Sequence, residues 1–562
     1  MVDKLTVELI RNAAVFASEE MGIVLRNTAY SPNIKDRLDH TCSVLTPRGE
    51  LAAQAEHIPV HLGSMAIGVM NTLEYLDREG ESLEPGDIVM VNDPYIAGTH
   101  LNDIMLLKPV YVRGRLVAIV ADKAHHVDVG GTVPGSLGGD VREFLQEGVV
   151  IPPTKIVIGG RLRGDVIKLI AENVRTPEYF RGDLKAQIAA LNVGERRIAE
   201  LAEKYGVDAV LEAWDEILAY TERYTRGRVR ELGRYGRFKA VDYIELDSEL
   251  VPIRVTIELK EDGGVTVDFE GTHPQVDAPI NAVYGVTVAS ATFALKSTID
   301  PEMPVNHGFY RAVTIRAPEG SLVNPVKPAP VSGGNVETSQ RIADTVFKAL
   351  AEAFPERVPA ASCGTMTNVM MGGYAGGRRW AFYETIACGS GARPQADGVD
   401  GVHTNMTNTL NTPVERVETD YPIMIIEYRL RPDSEGPGTY RGGLGVTRAF
   451  KLLEGKATVT IFSERCSTRP WGLSGGKPGE PSRHYLIKRS GERVELPCKT
   501  TIEISEGDIV YINTPGGGGY GDPCKRPRRL VERDLEEGRI SLERAHRHYC
   551  YKPEKSSFND PR

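Results

Sequence analysis

Two histidine-containing segments, separated by one predicted strand, carry the most information in this sequence. The first is Gly98-Thr99-His100-Leu101-Asn102-Asp103 and the second is His125-His126-Val127-Asp128. Between them lies the β-branched run Arg115 to Ala121, which is typical of a buried strand. His100 and Asp103 are three residues apart and are expected to share one face of a helical turn. The returning strand then brings His125 to the same place, so the spacing predicts an α/β region that gathers these side chains.

The residue types in these segments suit a divalent metal. Neutral imidazole nitrogens and carboxylate oxygens are common ligands of zinc, manganese and iron. Three protein ligands leave positions open for water, as in catalytic metal sites. The alternative is that His100, Asp103 and His125 are polar loop residues without a metal, but their density favours a site. His126 and Asp128 adjoin the third ligand and are predicted to orient a ligand or to transfer a proton.

A second polar cluster precedes these segments. Within Glu56 to Gly63, His57 and His61 are four residues apart and could both face a metal if the segment were helical. Pro59 lies between them and favours an extended or turn-like start instead. We therefore expect contact with the substrate, or hydrogen bonds to the metal ligands.

The composition is that of an ordinary globular protein of several sub-domains. The chain has 562 residues, of which 41% are hydrophobic and 25% charged. Its net charge of -9 gives no electrostatic reason to expect a nucleic-acid partner. The apolar runs are strand-sized, well short of the roughly 20 residues of a membrane span, and Met1 to Glu20 lacks the regions of a signal peptide. We expect a cytoplasmic protein without a membrane partner.

The cysteines are scattered, odd in number and form no Cys-x-x-Cys pair. They are Cys42, Cys363, Cys388, Cys466, Cys498, Cys524 and Cys550. This spacing predicts neither a disulfide framework nor a thiolate zinc knuckle. Cys363 and Cys388 are interpreted as small buried hydrophobic residues rather than nucleophiles. Any metal is expected on histidines and carboxylates.

The hydrophobic patterns predict a mixed α/β, β-rich fold with several sub-domains. A helix is expected from Gly63-Ser64, and a hairpin around the turn Glu261-Asp262-Gly263. The expected regions are a metal-binding α/β region (1–164), a helical region (165–240), a mixed β/α region (241–400), a β-rich region (401–525) and a charged helical tail (526–562).

Three glycine-rich segments occur, at Val331 to Asn335, Arg441 to Gly445 and Thr514 to Pro523. None has the Gly-Lys-Ser/Thr ending of a Walker A loop, and we recognise no ATP-binding motif in the chain. Tight turns in a β-rich domain are the favoured interpretation. The four-glycine run Gly516 to Gly519 could instead present backbone amides to an anion such as a phosphorylated intermediate.

These segments resemble the hydantoinase B family. It includes the B subunit of N-methylhydantoinase, the C-terminal half of 5-oxoprolinase, caprolactamase, and subunits of acetone and acetophenone carboxylases. The matching motifs are Arg37 to Asp39, Glu56 to Met65, Asn92 to Tyr95, Gly98 to Asp103, His125 to Gly131, Gly333 to Ser339 and Thr514 to Pro523. So many ordered motifs are specific for the family but not for one member.

The resemblance implies a division of labour between two subunits. A partner of the hydantoinase A type, with an actin-like ATPase fold, phosphorylates the lactam, imide or enol oxygen of the substrate. The B subunit then acts on the activated carbon with a divalent metal, zinc or manganese. Carried over by motif, the ligands are His100, Asp103 and His125, with Asp39 as a fourth.

Three functions follow as hypotheses. The resemblance favours the B subunit of an ATP-dependent hydantoinase or 5-oxoprolinase type of cyclic amidohydrolase, working in a hetero-oligomer that uses ATP through its partner. The alternative is a subunit of a ketone carboxylase of the acetophenone type, in which carbon dioxide replaces water. A scaffold subunit without catalysis is the third, and the intact set of His100, Asp103 and His125 argues against it.

Overall fold

The computed structural model describes residues 2–55, 57–61 and 63–552. Glu56 and Leu62, in the second polar cluster, and residues 553–562 of the predicted tail lie outside the described residues. Among the helices of the described residues, none is long and apolar enough to cross a membrane.

The N-terminal part of the chain builds one seven-stranded sheet. Its helices and strands are α1 Lys4–Thr28, α2 Pro32–Lys35, β1 His40–Leu45, β2 Leu51–Gln54, α3 Ser64–Arg78, β3 Ile88–Val91, α4 Pro94–Ala97, β4 Asp103–Val112, β5 Arg115–His125, β6 Thr154–Ile158 and β7 Arg161–Leu162. The strand order is β2-β1-β5-β4-β3-β6-β7, and all neighbours are antiparallel. The predicted helix from Ser64 is confirmed.

Both faces of this sheet are covered, which explains its nearly continuous apolar strands. Successive side chains of a strand point to opposite faces. In β3, Ile88 and Met90 join the core that also contains buried residues of α1, whereas Val89 and Val91 pack with Met65 and other residues of α3. A strand buried on both faces loses the alternation of apolar and polar residues.

A layer of long helices follows the first sheet. It consists of α5 Gly164–Ala171, α6 Pro177–Tyr205 and α7 Val207–Leu232. Helix α6 packs against α1, β4 and β5, on the face of the sheet opposite to α3. The helical texture predicted for this stretch is confirmed.

The remainder of the described chain forms three further sheets with helices around them. Its elements are β8 Gly236–Leu246, β9 Glu249–Leu259, β10 Val265–Asp268, α8 Tyr284–Ile299, α9 His307–Ala312, β11 Val313–Arg316, α10 Ser339–Ala353, β12 Asn368–Ala375, β13 Arg378–Thr385, α11 Val414–Asp420, β14 Ile423–Leu430, β15 Val446–Leu452, β16 Lys456–Phe462, β17 Arg483–Ile487, β18 Arg493–Leu496, β19 Lys499–Ser505, β20 Ile509–Asn513, α12 Arg528–Glu536 and α13 Leu542–His548. The sheet orders are β11-β10-β9-β8, β13-β12-β16-β19 and β14-β15-β20-β17-β18. The mixed, β-rich fold class is therefore confirmed, as is the predicted β9–β10 hairpin.

The prediction that the cysteines form no disulfide framework is wrong. Three disulfides join Cys363 to Cys388, Cys466 to Cys498 and Cys524 to Cys550. Cys42 is the one free cysteine, and it is buried. The paired residues are 25, 32 and 26 positions apart, so the folded chain and not the local spacing brings them together.

Two glycine-rich segments are closely packed backbone rather than tight turns. We call the following residues the glycine core: Gly389, Gly391, Gly398, Gly436, Gly442, Gly443, Gly445, Gly516, Gly517, Gly518 and Gly519. Their φ angles lie outside the left-handed region, but a Cβ on Gly517 would stand 1.9 Å from the carbonyl oxygen of Ser390. A Cβ on Gly442 would stand 1.9 Å from the oxygen of Gly517. Glycine is required here because another backbone occupies the position of the side chain.

The amides of the four-glycine run are already hydrogen-bonded. The N–H groups of Gly517, Gly518 and Gly519 donate to the carbonyl oxygens of Gly443, Ala361 and Lys477 at 2.9, 2.8 and 2.9 Å. The hypothesis that this run presents its amides to an anion is therefore wrong for these three residues. Its glycines serve packing instead.

Candidate metal centre

Three side chains meet at one point beside the first sheet. The Nε2 atom of His100, the Nδ1 atom of His125 and the Oδ1 atom of Asp103 form a triangle with sides of 3.1, 3.1 and 3.2 Å. All three residues are at most 2% exposed. This is one of two groups in the described chain whose ligand atoms could share a metal ion.

Pairing of β4 with β5 creates this meeting point. Asp103 is the first residue of β4 and lies directly opposite His125, the last residue of β5. His100 reaches them from the turn before β4, in which the N–H of Asp103 donates to the carbonyl of His100 at 3.0 Å. His100 and Asp103 therefore lie in a turn that leads directly into β4, and not on the face of a helix. The expectation that the strand returns His125 to the same place is confirmed.

The spacing and chemistry of the triangle fit a divalent metal. Ligand atoms at about 2.0–2.2 Å from a zinc ion stand about 3.0–3.5 Å from one another, depending on the geometry. The other nitrogen of His125, Nε2, is buried and has no hydrogen-bond partner among the described residues. Two imidazoles and one carboxylate form a donor set that suits zinc or manganese.

The glycine-rich segment after β11 fixes the orientation of His100. The Nδ1–H of His100 donates to the carbonyl of Ser332 at 3.2 Å. The Nε2 atom of His100 is therefore the acceptor or ligand atom. Ser332 is held in turn by Glu147, whose Oε1 accepts the N–H groups of Val331 and Ser332 at 2.8 Å each. Burial of Glu147 raises the pKa of its carboxyl to about 7.

The second carboxylate oxygen of Asp103 has its own partners. His61 Nε2 lies 3.3 Å from Oδ2 of Asp103, and the Nδ1 of the same ring lies 3.0 Å from the hydroxyl of Thr41. Asn335 donates to Oδ2 at 3.5 Å. The expected hydrogen bond from the second polar cluster to a ligand is therefore present at His61. His57 instead packs against the ring of His40.

Asp39 lies beside the triangle. Its Oδ2 is 4.0 Å from the Nδ1 of His125 and 3.9 Å from the guanidinium of Arg37. Leu38, which lies between Arg37 and Asp39 in the chain, has a φ of 62°, a backbone conformation that is uncommon for a residue with a branched side chain. Arg37 is fully buried and donates to the hydroxyl of Thr385 at 2.8 Å. The strained turn thus directs the Asp39 carboxylate towards the cluster.

The charges of the cluster are strongly coupled. Burial opposes ionisation of Asp103, but His100 and His61 hold its pKa well below the usual range. Burial acts to lower the pKa of His100, yet the adjacent Asp103 carboxylate raises it above its ordinary value. Burial lowers the pKa of His125. The site therefore holds an anionic carboxylate that attracts a proton or a cation, and a divalent metal competes with that proton.

The structure does not bring His126 and Asp128 into the triangle. His126 Nε2 lies 3.0 Å from the side-chain oxygen of Gln187 on α6. Asp128 accepts hydrogen bonds from the amides of Gly130 and Gly135 at 3.0 and 3.1 Å, and from the guanidinium of Arg175 at 3.0 Å. These partners organise the loop after β5. A role of either residue in catalysis stays a prediction.

Sequence reasoning missed several neighbours of the cluster. No metal-binding pattern in the sequence marks Glu147, Ser332 or Asn335. Asn335 does lie in the motif Gly333 to Ser339. Tyr383 stacks on the ring of His125 with centroids 4.5 Å apart and lies under the guanidinium of Arg37. Asn335 belongs to a π-helical turn, Gly334–Thr338, a rare form that is frequent at functional sites.

A cavity of about 500 Å³ is lined by residues that lie close in sequence to His61 and His100. Its walls include Gly63, Tyr95 and Gly98, together with Val288 of α8 and Tyr310 of α9. His100, Asp103 and His125 are not among its lining residues. The cavity therefore adjoins the backbone of the cluster rather than its ligand atoms.

Comparisons with known proteins give a consistent family. A family model described as hydantoinase B/oxoprolinase matches residues 3–523. An uncharacterized protein of Methanocaldococcus jannaschii is 56% identical, with 98% of this chain and 96% of that protein covered. The B subunit of a putative D-/L-hydantoinase from a Pseudomonas species is 31% identical over 97% of this chain and 94% of that protein.

A solved structure and a longer relative complete the comparison. The crystal structure of ATP-dependent caprolactamase from Pseudomonas jessenii has a TM-score of 0.91 and 30% identity, covering 98% of this chain and 96% of that one. The 5-oxoprolinase 1 of Arabidopsis thaliana is 35% identical over 93% of this chain, which spans only 42% of the length of that protein.

Proposed function

The chain belongs to the hydantoinase B/oxoprolinase family, and from this premise we propose that it is the metal-binding subunit of an ATP-dependent cyclic amidohydrolase. The observation that carries the proposal is the buried triangle of His100, Asp103 and His125. The substrate class is a lactam or imide ring, supported by the similarity to caprolactamase. ATP is used through a partner of the hydantoinase A type, supported by the similarity to one subunit of the Pseudomonas hydantoinase.

The residues of this chain hold and orient the reacting groups. His100, Asp103 and His125 bind the metal, and Asp39 stands close enough to become a fourth ligand after a small movement. The Ser332 carbonyl fixes the tautomer of His100, and His61 holds the free oxygen of Asp103. When bound, zinc or manganese lowers the pKa of water towards about 7 and supplies a nucleophile at neutral pH.

The need for ATP follows from the chemistry of the ring. A lactam carbonyl carbon is a poor electrophile because attack must break the amide resonance. Phosphorylation of the oxygen makes the carbon more electrophilic. One water then adds to the carbon and the ring C–N bond opens, which gives an amine and an acyl phosphate. A second water hydrolyses the acyl phosphate to the carboxylate and free phosphate.

The test is reconstitution with a purified ATPase subunit of the hydantoinase A type. The mixture is offered hydantoins, 5-oxoproline, simple lactams and aryl ketones, with and without bicarbonate, while ring opening and ATP consumption are measured. We expect ring opening of at least one cyclic amide that requires ATP and both subunits. His100→Ala should abolish it, whereas His546→Ala, a change at an exposed histidine of α13, should not.

Two results would contradict the proposal in different ways. Consumption of ATP only with a ketone and bicarbonate would identify a carboxylase subunit. Ring opening by the isolated chain without ATP would exclude the two-subunit mechanism while leaving the metal assignment intact.

A further inference from the structure

A second group of potential metal ligands lies far along the chain from the His/Asp cluster. The sulfur atoms of Cys466 and Cys498 and a ring nitrogen of His484 all lie within 4.8 Å of one another. Cys466 follows β16, Cys498 separates β18 from β19, and His484 belongs to β17. The group therefore stands where the β13-β12-β16-β19 sheet meets the β14-β15-β20-β17-β18 sheet.

His484 is an unexplained polar residue in this place. Its side chain is 1% exposed, and neither ring nitrogen has a hydrogen-bond partner among the described residues. Burial and the nearby Arg431 lower its pKa to about 3, so the ring is neutral at physiological pH. A buried polar group without a partner is costly, and such groups often mark a missing ion or water. A neutral imidazole is the form that binds metals.

The two cysteines are held in position by contacts other than their disulfide. The N–H of Cys466 donates to the carboxylate of Glu245 at 3.0 Å, and the same carboxylate accepts the N–H of Thr468 at 2.7 Å. The carbonyl of Cys498 accepts the N–H of Ser463 at 2.9 Å. Because these backbone contacts do not involve sulfur, we expect the two thiols to stay close together after reduction.

We propose that Cys466, His484 and Cys498 form a zinc site when the Cys466–Cys498 disulfide is reduced. Two thiolates and one imidazole are a soft donor set that zinc accepts. Cys466 is half-buried, which leaves solvent access for a fourth ligand. The site differs in chemistry from the His/Asp cluster, which contains no sulfur.

The reduction balances with a dithiol as the electron donor. The dithiol gives two electrons and two protons to the Cys466–Cys498 disulfide and becomes a disulfide itself. Zinc then binds the two sulfur atoms and His484, and the two thiol protons are released. Disulfide and zinc therefore exclude each other at this place, so the thiol state of the protein controls its metal content.

The test compares oxidised and dithiol-reduced full-length protein after removal of the reductant without air. We expect reduced protein to bind one more zinc per chain than oxidised protein. With cobalt in place of zinc, it should develop a thiolate-to-cobalt charge-transfer band that the His/Asp cluster is unable to give. Zinc should also raise the melting temperature of the reduced form more than that of the oxidised form, in which only the His/Asp cluster is free to bind it.

Three variants make the test specific. Cys466→Ser and His484→Ala should each lose or strongly weaken the cobalt band. The double variant Cys524→Ser/Cys550→Ser removes another disulfide without touching this group and should keep the band. An unchanged zinc content on reduction, or a band that survives in both of the first two variants, overturns the proposal and leaves a structural disulfide beside a hydrated histidine.

Discussion

The His/Asp cluster and the glycine core stand out in the sequence for the same reason, an unusual local composition, yet they are built in opposite ways. In the cluster, polar side chains from distant segments converge, and His125 keeps a buried nitrogen without a partner among the described residues. In the glycine core, backbones converge, and the amides of Gly517 to Gly519 are hydrogen-bonded. In these two places, the unpartnered nitrogen beside other ligand atoms favours a binding site, and the paired amides favour packing.

This difference predicts which substitutions damage folding and which damage chemistry. A change in the glycine core forces two backbones apart, so the whole C-terminal region responds. A change in the cluster removes a ligand but leaves most of the surrounding contacts intact. Substitutions in both places test this separation, from the largest expected effect to the smallest.

Gly517→Ala should lower the free energy of unfolding by at least about 3 kcal/mol, because overpacking is combined with loss of a backbone hydrogen bond. The new Cβ would lie 1.9 Å from the Ser390 oxygen. Urea unfolding of the purified protein measures the change. The matched control is Gly227→Ala within α7, where a Cβ meets nothing within 4 Å and helix propensity predicts a gain of up to about 1 kcal/mol. Equal effects of both variants would contradict the packing interpretation of the glycine core.

In the protein with its disulfides intact, His100→Ala should reduce the metal content from one ion per chain to nearly none. Loss of an outer partner of a metal ligand already costs about 10–100-fold, so loss of a ligand should reduce activity of the reconstituted enzyme by more than about 100-fold. Elemental analysis and circular dichroism together show whether metal is lost from a folded chain. If His100→Ala and His125→Ala both keep their metal, the assignment of the metal centre is excluded.

Glu147→Gln tests a residue that holds the glycine-rich segment Val331 to Asn335 next to the cluster. The carboxyl pKa is raised from 4.5 to about 7, so the folded protein binds this proton more tightly than the unfolded chain. The stability that the neutral form supplies is present below pH 4.5 and is lost as the pH rises through 7. The loss should be about 3 kcal/mol, because each unit of pKa difference corresponds to about 1.4 kcal/mol. Glutamine keeps an acceptor for the amides of Val331 and Ser332.

The measurement is the free energy of unfolding of wild type and of Glu147→Gln at several pH values between 4.5 and about 7. Wild type should lose stability relative to Glu147→Gln as the pH rises. Parallel curves would mean that Glu147 has the same pKa in the folded and unfolded chains.

Local patterns predicted the elements, and resemblance predicted part of the site. The β9–β10 hairpin and the helix α3 follow from residues that are neighbours in sequence. His100, Asp103 and His125 were predicted because one hairpin, β4–β5, joins them. Asp39 came only from the family resemblance, and its role as a ligand stays a prediction.

The rest depended on long-range contacts that a single sequence does not encode visibly. Ser332 reaches His100 across 232 positions, and nothing in its neighbourhood suggests that its carbonyl orients a ligand. Likewise, Cys466, His484 and Cys498 have no metal-binding spacing, since three different strands and loops deliver them. The prediction of tight turns was wrong for the glycine core, because a sequence shows glycine both where the backbone needs a positive φ and where there is no room for a Cβ.

Asp128→Asn is the smallest expected effect, and it decides between two roles for the residue. The carboxylate accepts hydrogen bonds from Gly130, Gly135 and Arg175, and the amide nitrogen of asparagine replaces one acceptor with a donor. We expect a loss of about 1–3 kcal/mol in the free energy of unfolding. The metal content should stay at one ion per chain, because no hydrogen bond or ion pair joins the described Asp128 side chain to a ligand of the triangle. If metal affinity or activity instead falls about 10–100-fold at a temperature where the variant is fully folded, Asp128 orients a ligand or transfers a proton, as its position in the sequence predicts.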